Sequence, residues 1–147
     1  MRTPPPKTKS EASSLNNRRL QRFAAVAYGL LLAYVSLAPG TKLPAIPDWS
    51  TLFSPDKVAH FGAYAIFALL LSVLYSERGA KGILFAVFIA AAYGTLMEFL
   101  QAVAGTGRSF DPVDMVANLL GAILGGLLFF LFYYFKNKIS APAEINE

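Results

Sequence analysis

The chain contains no cysteine and a single histidine, His60. The first absence excludes disulfides, thiolate metal sites and a cysteine nucleophile, and the second excludes a multi-histidine metal site within one subunit. Charge is scarce too, at 15% of positions. A formal net charge of +4 would suit a nucleic-acid partner, but the basic residues sit at the ends and in short loops rather than in a stripe. No nucleic acid is expected as partner. No repeat at a fixed period is present either.

Apolar surface is what the sequence has in quantity. Hydrophobic residues fill 55% of the 147 positions, and the mean hydropathy is +0.47, which favours a membrane protein over a soluble domain of this size. Four apolar runs stand out, at about 20–38, 58–75, 82–104 and 113–135. At about 1.5 Å rise per residue, each approaches the length that spans a hydrocarbon core of about 30 Å. The expected fold is therefore all-α, a bundle of four transmembrane helices over residues 20–135. Residues 1–19, with Pro4, Pro5, Pro6 and five Lys or Arg, read as a disordered basic tail, and residues 136–147 as a C-terminal tail. Pro39 and Gly40 end the first run in place of a small-residue cleavage pattern, so it reads as a retained helix rather than a signal peptide.

Loop charge gives an orientation. Ten of the thirteen Lys and Arg fall on one side if the runs cross alternately, and Lys42, Lys57 and Arg108 fall on the other. By the positive-inside rule both termini are cytoplasmic, and the first and third loops face outward. Tyr34, Trp49, Tyr75, Tyr133 and Tyr134 fall near proposed ends as interfacial aromatics, with Tyr28 a weaker case. Ser54-Pro55 and Asp111-Pro112 each pair an N-cap residue with proline at the first helical position.

Polar residues inside such runs are costly and usually line a cavity, pair or do chemistry. Glu98 and Gln101 share a face with Gly94 and Gly105; Asp114 and Asn118 share one with Gly121 and Gly125. His60 and Tyr64 are four apart at the start of the second run, just after Asp56 and Lys57. All these groups fall at the outward end, where they can form a polar pocket, with the glycine faces allowing close helix approach and possible oligomer contacts. His60 is able to act as an acid or base near neutral pH, with Glu98 and Asp114 as its candidate catalytic partners. Lys57 and Arg108 are candidate binders of an anionic group, Arg108 by a two-pronged bond, with Asp56, Tyr64, Gln101 and Asn118 as further ligand-binding candidates. No reaction is defined: Ser109 lacks a nucleophile elbow. A single metal held by His60 and carboxylates is possible in composition, but no known ligand spacing supports one, and neither metal nor cofactor is expected.

Structural readings stand beside these. Asp111 reads mainly as a cap, which Asp114 can complete. Asp56 can serve the helix dipole, Lys57 can anchor at headgroups, and Arg108 can bridge to Asp111 or Asp114. Asn118 and Gln101 can act as interhelical glue.

Asp56-Lys57-x-x-His60-x-x-x-Tyr64, then Gly94-x-x-x-Glu98-x-x-Gln101, then Arg108 followed by Asp114, Asn118 and Gly121, give the sequence a family likeness. Over about residues 50 to 130 it resembles the VanZ-like family of small bacterial membrane proteins. The resemblance implies a multi-pass protein of the bacterial inner membrane acting at the cell envelope, and the family's name comes from a member linked to teicoplanin resistance. It supplies no mechanism. The leading expectation is an outward pocket that binds or modifies an anionic lipid-linked or cell-wall-related ligand among membrane lipids. The alternatives are a non-catalytic envelope factor and a small proton-coupled transporter.

Overall fold

The computed structural model describes residues 9–39, 54–105, 107 and 110–140. Nearly all of them are helical. The helices are α1 (Lys9–Leu37), α2 (Pro55–Tyr75), α3 (Gly79–Val103) and α4 (Pro112–Ser140), with a 3-10 turn at Ser76–Arg78 between α2 and α3. No strand occurs among the described residues, so the chain is all-α. Three helical stretches, Ser13–Leu37, Pro55–Val103 and Pro112–Ile139, are long and apolar enough to cross a membrane. The second is not one rod: it contains α2, the turn and α3.

Sequence chemistry explains the helix limits. Pro55 takes the first position of α2 behind Ser54, whose extended backbone fits an N-cap although its hydroxyl makes no capping bond. Asp111 does cap α4, its Oδ1 accepting from the Val113 amide at 2.8 Å. Between α2 and α3 the reversal falls at Gly79, whose φ of 58° lies in the left-handed region that glycine enters without strain. Gly82 then lies directly against the Tyr75 carbonyl, where any side chain would collide.

Two boundaries depart from expectation. The helix α1 begins at Lys9, so residues 9–19 are helical rather than a disordered tail. No proline or glycine interrupts that stretch, and Arg18 pairs with Glu77 of the turn. At the other end α4 runs to Ser140, five residues past the expected limit, which leaves 141–147 of the predicted tail outside the described residues, as are 1–8. Gly105 also lies beyond α3 instead of extending its face, with a φ of 64°.

Contacts between helices define their directions. Phe67 and Tyr93 rings lie 5.3 Å apart and Tyr75 meets Phe85 at 5.1 Å, so α2 and α3 run antiparallel. Gly121 lies on the Phe61 carbonyl and Gly125 on that of Ala65, so α4 runs parallel to α2 with the backbones touching. The first helix is tied on by Tyr28 Oη, which donates to Ala63 O at 3.1 Å, and by Tyr93 Oη, which donates to Gly29 O at 2.6 Å. Tyr28 is therefore an interior link and not an interfacial anchor. We expect Tyr93→Phe to lower stability by roughly 0.6 kcal/mol, the average for interhelical polar contacts in membranes, read from thermal unfolding in detergent.

The core is small-residue and aromatic: Tyr64, Phe67, Ala68, Leu71, Ala86, Ala90 and Ala122 are buried together. The exterior is apolar too. Phe23, Leu30, Leu84, Phe88 and Phe132 all point outward on the helix surfaces, each more than half exposed. So much exposed apolar area is incompatible with water and matches hydrocarbon surroundings. Three glycines of α4 are packed within the chain, Gly121 and Gly125 against α2 and Gly126 against Val87 of α3.

Candidate functional site

At the end of the fold where α2 and α4 begin and α3 finishes, buried polar side chains converge. Glu98 is 0% exposed, Asn118 and Gln101 1%, and Asp114 4%, with Tyr64 beneath them at 1%. The helical repeat puts Asp114, Asn118, Gly121, Ala122, Gly125 and Gly126 on one buried face of α4. Close contact of glycines with α2 and α3 then draws the polar turns of the three helices together.

His60 is the centre of this cluster. Its Nδ1 lies 3.0 Å from Asn118 Oδ1 and 3.7 Å from Glu98 Oε1. Its Nε2 faces the other way, 3.9 Å from Asp56 Oδ1 and 4.0 Å from Asp114 Oδ2. Asn118 thus fixes the ring by a hydrogen bond, and the Glu98 carboxylate lies beside the same nitrogen. Gly94 makes room for this: a methyl group there would come within 2.9 Å of Asn118 Cβ and 3.0 Å of the Tyr64 ring.

Lys57 is not a headgroup anchor. Its Nζ donates to Asp111 Oδ2 at 3.1 Å and lies 3.5 Å from Asp114 Oδ1, with its side chain only 16% exposed. The expected bridge from Arg108 to these aspartates cannot be placed, because Arg108 and Ser109 lie outside the described residues. Asp111 is both cap and ion-pair partner: the Val113 amide, with Lys57 beside it, holds its carboxyl below the usual carboxylate range. Asp114 does not complete a reciprocal cap. Its carboxylate turns to Lys57 and His60 instead, because the third helical position of α4 faces α2.

Gln101 also turns toward α1: its Nε2 donates to Ser36 O at 2.9 Å and ties α3 to that helix, a contact that spacing within α3 does not reveal. Tyr64 Oη, Ser72 Oγ and Asn118 Nδ2 are buried without a hydrogen-bond partner among the described residues. Two open clefts of about 440 and 400 Å³, lined by Arg18, Glu77 and Leu74 among others, lie at the opposite end by the turn. They share no residue with the polar cluster.

An all-helical chain with a lipid-compatible exterior and a buried ionisable cluster at one end is a multi-pass membrane protein. The chain belongs to the VanZ/LLP1 family, whose pattern matches residues 6–133. It is also 30% identical over 105 residues to an uncharacterized protein of Schizosaccharomyces pombe, a match covering 71% of this chain and 59% of that protein. The chain thus spans a little over half the length of that relative. Because the relative is a yeast protein, family likeness does not assign the chain to bacteria. No solved structure matches the chain.

Proposed function

We propose that the protein is a bundle of four transmembrane helices with cytoplasmic termini, whose outward polar end binds the anionic headgroup of a lipid or lipid-linked envelope ligand. The observation that carries this reading is the convergence of His60, Glu98, Asp114 and Asn118, from three helices, at one end of an otherwise apolar fold. Burying such groups is costly, and a cluster of them marks a site in membrane proteins. Ten of thirteen basic residues favour the opposite side as cytoplasmic. Family resemblance adds the bacterial inner membrane and the cell envelope as the proposed setting, the family's name coming from a member linked to teicoplanin resistance.

A transporter needs a polar path onward from the site. Beyond Tyr64 the core passes to Phe67, Ala68, Leu71, Ala86 and Ala90, with Ser72 the polar exception, which disfavours that reading. Two measurements test the proposal. The chain has no cysteine, so Asp56→Cys and Glu77→Cys report sidedness cleanly; a membrane-impermeant maleimide should label the first from outside and the second only from the cytoplasm, and the reverse would overturn the orientation. Lipid and envelope-precursor mass spectrometry should then show one anionic species changed between deletion and overexpression cells. His60→Gln and Glu98→Gln, folded and inserted, should each erase that change. If both retain it, the cluster is structural and the non-catalytic envelope factor stands.

A further inference from the structure

Opposite the polar cluster, the helical extension of α1 is held to the turn between α2 and α3 by the Arg18–Glu77 pair. Ser14, Asn17, Arg18 and Gln21 follow i, i+3, i+4, i+7 spacing and so share one face of α1, and Arg22 continues the stripe. This face forms one wall of the two clefts described above, and the end of α2 with the turn forms the other. Arg18, Leu74 and Glu77 line both clefts, which therefore join as one trough.

The charge that lines the trough is largely of one sign. Its described walls hold three arginines, Arg18, Arg22 and Arg78, and one carboxylate, that of Glu77. Arg78 is steadied by aromatic rings: its guanidinium carbon lies 5.5 Å from the centre of the Tyr75 ring and 5.9 Å from that of Phe85. A guanidinium held against rings still presents the N–H groups of its edge, and a phosphate accepts two of them at once. The amides of Asn17 and Gln21 add donors from α1. Depth points the same way. Leu20 and Phe23, 65% and 71% exposed, begin the lipid-facing surface of α1 in the same turns as Arg18 and Arg22. Arginine at that boundary keeps its stem in apolar surroundings and its head among lipid phosphates.

We propose that this trough binds the phosphodiester headgroup of an anionic glycerophospholipid. Arg22 and Arg78 hold the phosphate from opposite walls, Asn17 and Gln21 donate to the rest of the headgroup, and the acyl chains leave past Leu74. Basic pockets between transmembrane helices suit such headgroups. The site is separate from the polar end and stands whether or not a ligand binds there. A general excess of basic residues on this side would set topology with charge at any position, whereas the trough depends on Arg22 and Arg78 in particular. Arg19, beside Arg18 in the chain, lines neither cleft.

That difference sets the test. The full chain, delipidated in detergent, is titrated with phosphatidylglycerol or phosphatidylcholine, and native mass spectrometry counts the lipids bound per chain. The wild type should prefer phosphatidylglycerol. Arg22 and Arg78 are exposed, so Arg22→Gln with Arg78→Gln should fold normally. This double variant should lose one bound phosphatidylglycerol, its affinity at the trough falling by at least about tenfold for two lost basic contacts. Arg19→Gln should lose none. Two lipids in the wild type and one in the double variant would mean that the polar end binds as well; one and none would mean that the trough alone does. Equal numbers in the wild type and the double variant, the same loss in Arg19→Gln, or equal binding of phosphatidylcholine would overturn the proposal. Thermal protection by inorganic phosphate equal to that by phosphatidylglycerol would assign the trough to free phosphate and overturn the lipid.

Discussion

Alanine at both Gly121 and Gly125 is expected to prevent the folded protein from accumulating, while Gly62→Ala leaves it intact or slightly more stable. A methyl group at either of the first two positions overlaps a backbone carbonyl oxygen of α2, that of Phe61 or of Ala65. A flexible side chain can rotate away from a new neighbour; a carbonyl inside a helix cannot move without breaking its own hydrogen bond. Overpacking usually costs about 1–3 kcal/mol per site. Here the obstacle is backbone and the two sites lie on one seam, so the loss should exceed about 3 kcal/mol. Around Gly62 nothing lies within 4 Å, and alanine there gains up to about 1 kcal/mol of helix propensity. Size-exclusion profiles and thermal unfolding in detergent check both outcomes.

Lys57→Met should be nearly as damaging. Lys57 and Asp114 are 16% and 5% exposed in their side chains, and Lys57 is the cation of this pair. Removing one partner of a buried ion pair leaves the other charge without compensation and costs about 3–5 kcal/mol. Pairing Lys57→Met with Asp114→Asn removes both charges and should recover more than half of the stability. Equal loss in the single and double variants would mean that Lys57 acts by packing its alkyl stem rather than by its charge.

Both results depend on features with different visibility in the sequence. The glycine spacing on α4 was readable, because a helix turns by a fixed angle and places Gly121 and Gly125 on one stripe with Asp114 and Asn118. The partner of that stripe was not readable, since a small-residue face fits α2, α3 or a second chain equally well. Lys57 shows the same divide: its position beside Asp56 and His60 was plain, but its partners come from a helix more than fifty residues away. Gln101 shares a face with Glu98, which the helical period makes plain, but its bond to Ser36 on α1 depends on a helix that period cannot identify.

Local chemistry also misled in places. Charge and small polar residues before Leu20 resemble a disordered tail, but no helix breaker separates Lys9 from the apolar run, and the helix continues through it. Asp114 has the spacing of a cap-completing residue, and tertiary contact gives it to Lys57 and His60 instead.

By itself the sequence determined that the chain is helical and membrane-compatible, where its apolar runs lie, and that its costly polar groups gather toward one end of each run. Those properties follow from hydrophobic length and helical period, which act within a single segment. Only the tertiary structure decided that α2 and α4 touch backbone to backbone and that Lys57 is held by two aspartates. The reason is that period fixes which residues share a face, while the identity of the facing neighbour is set by close packing between helices far apart in the chain.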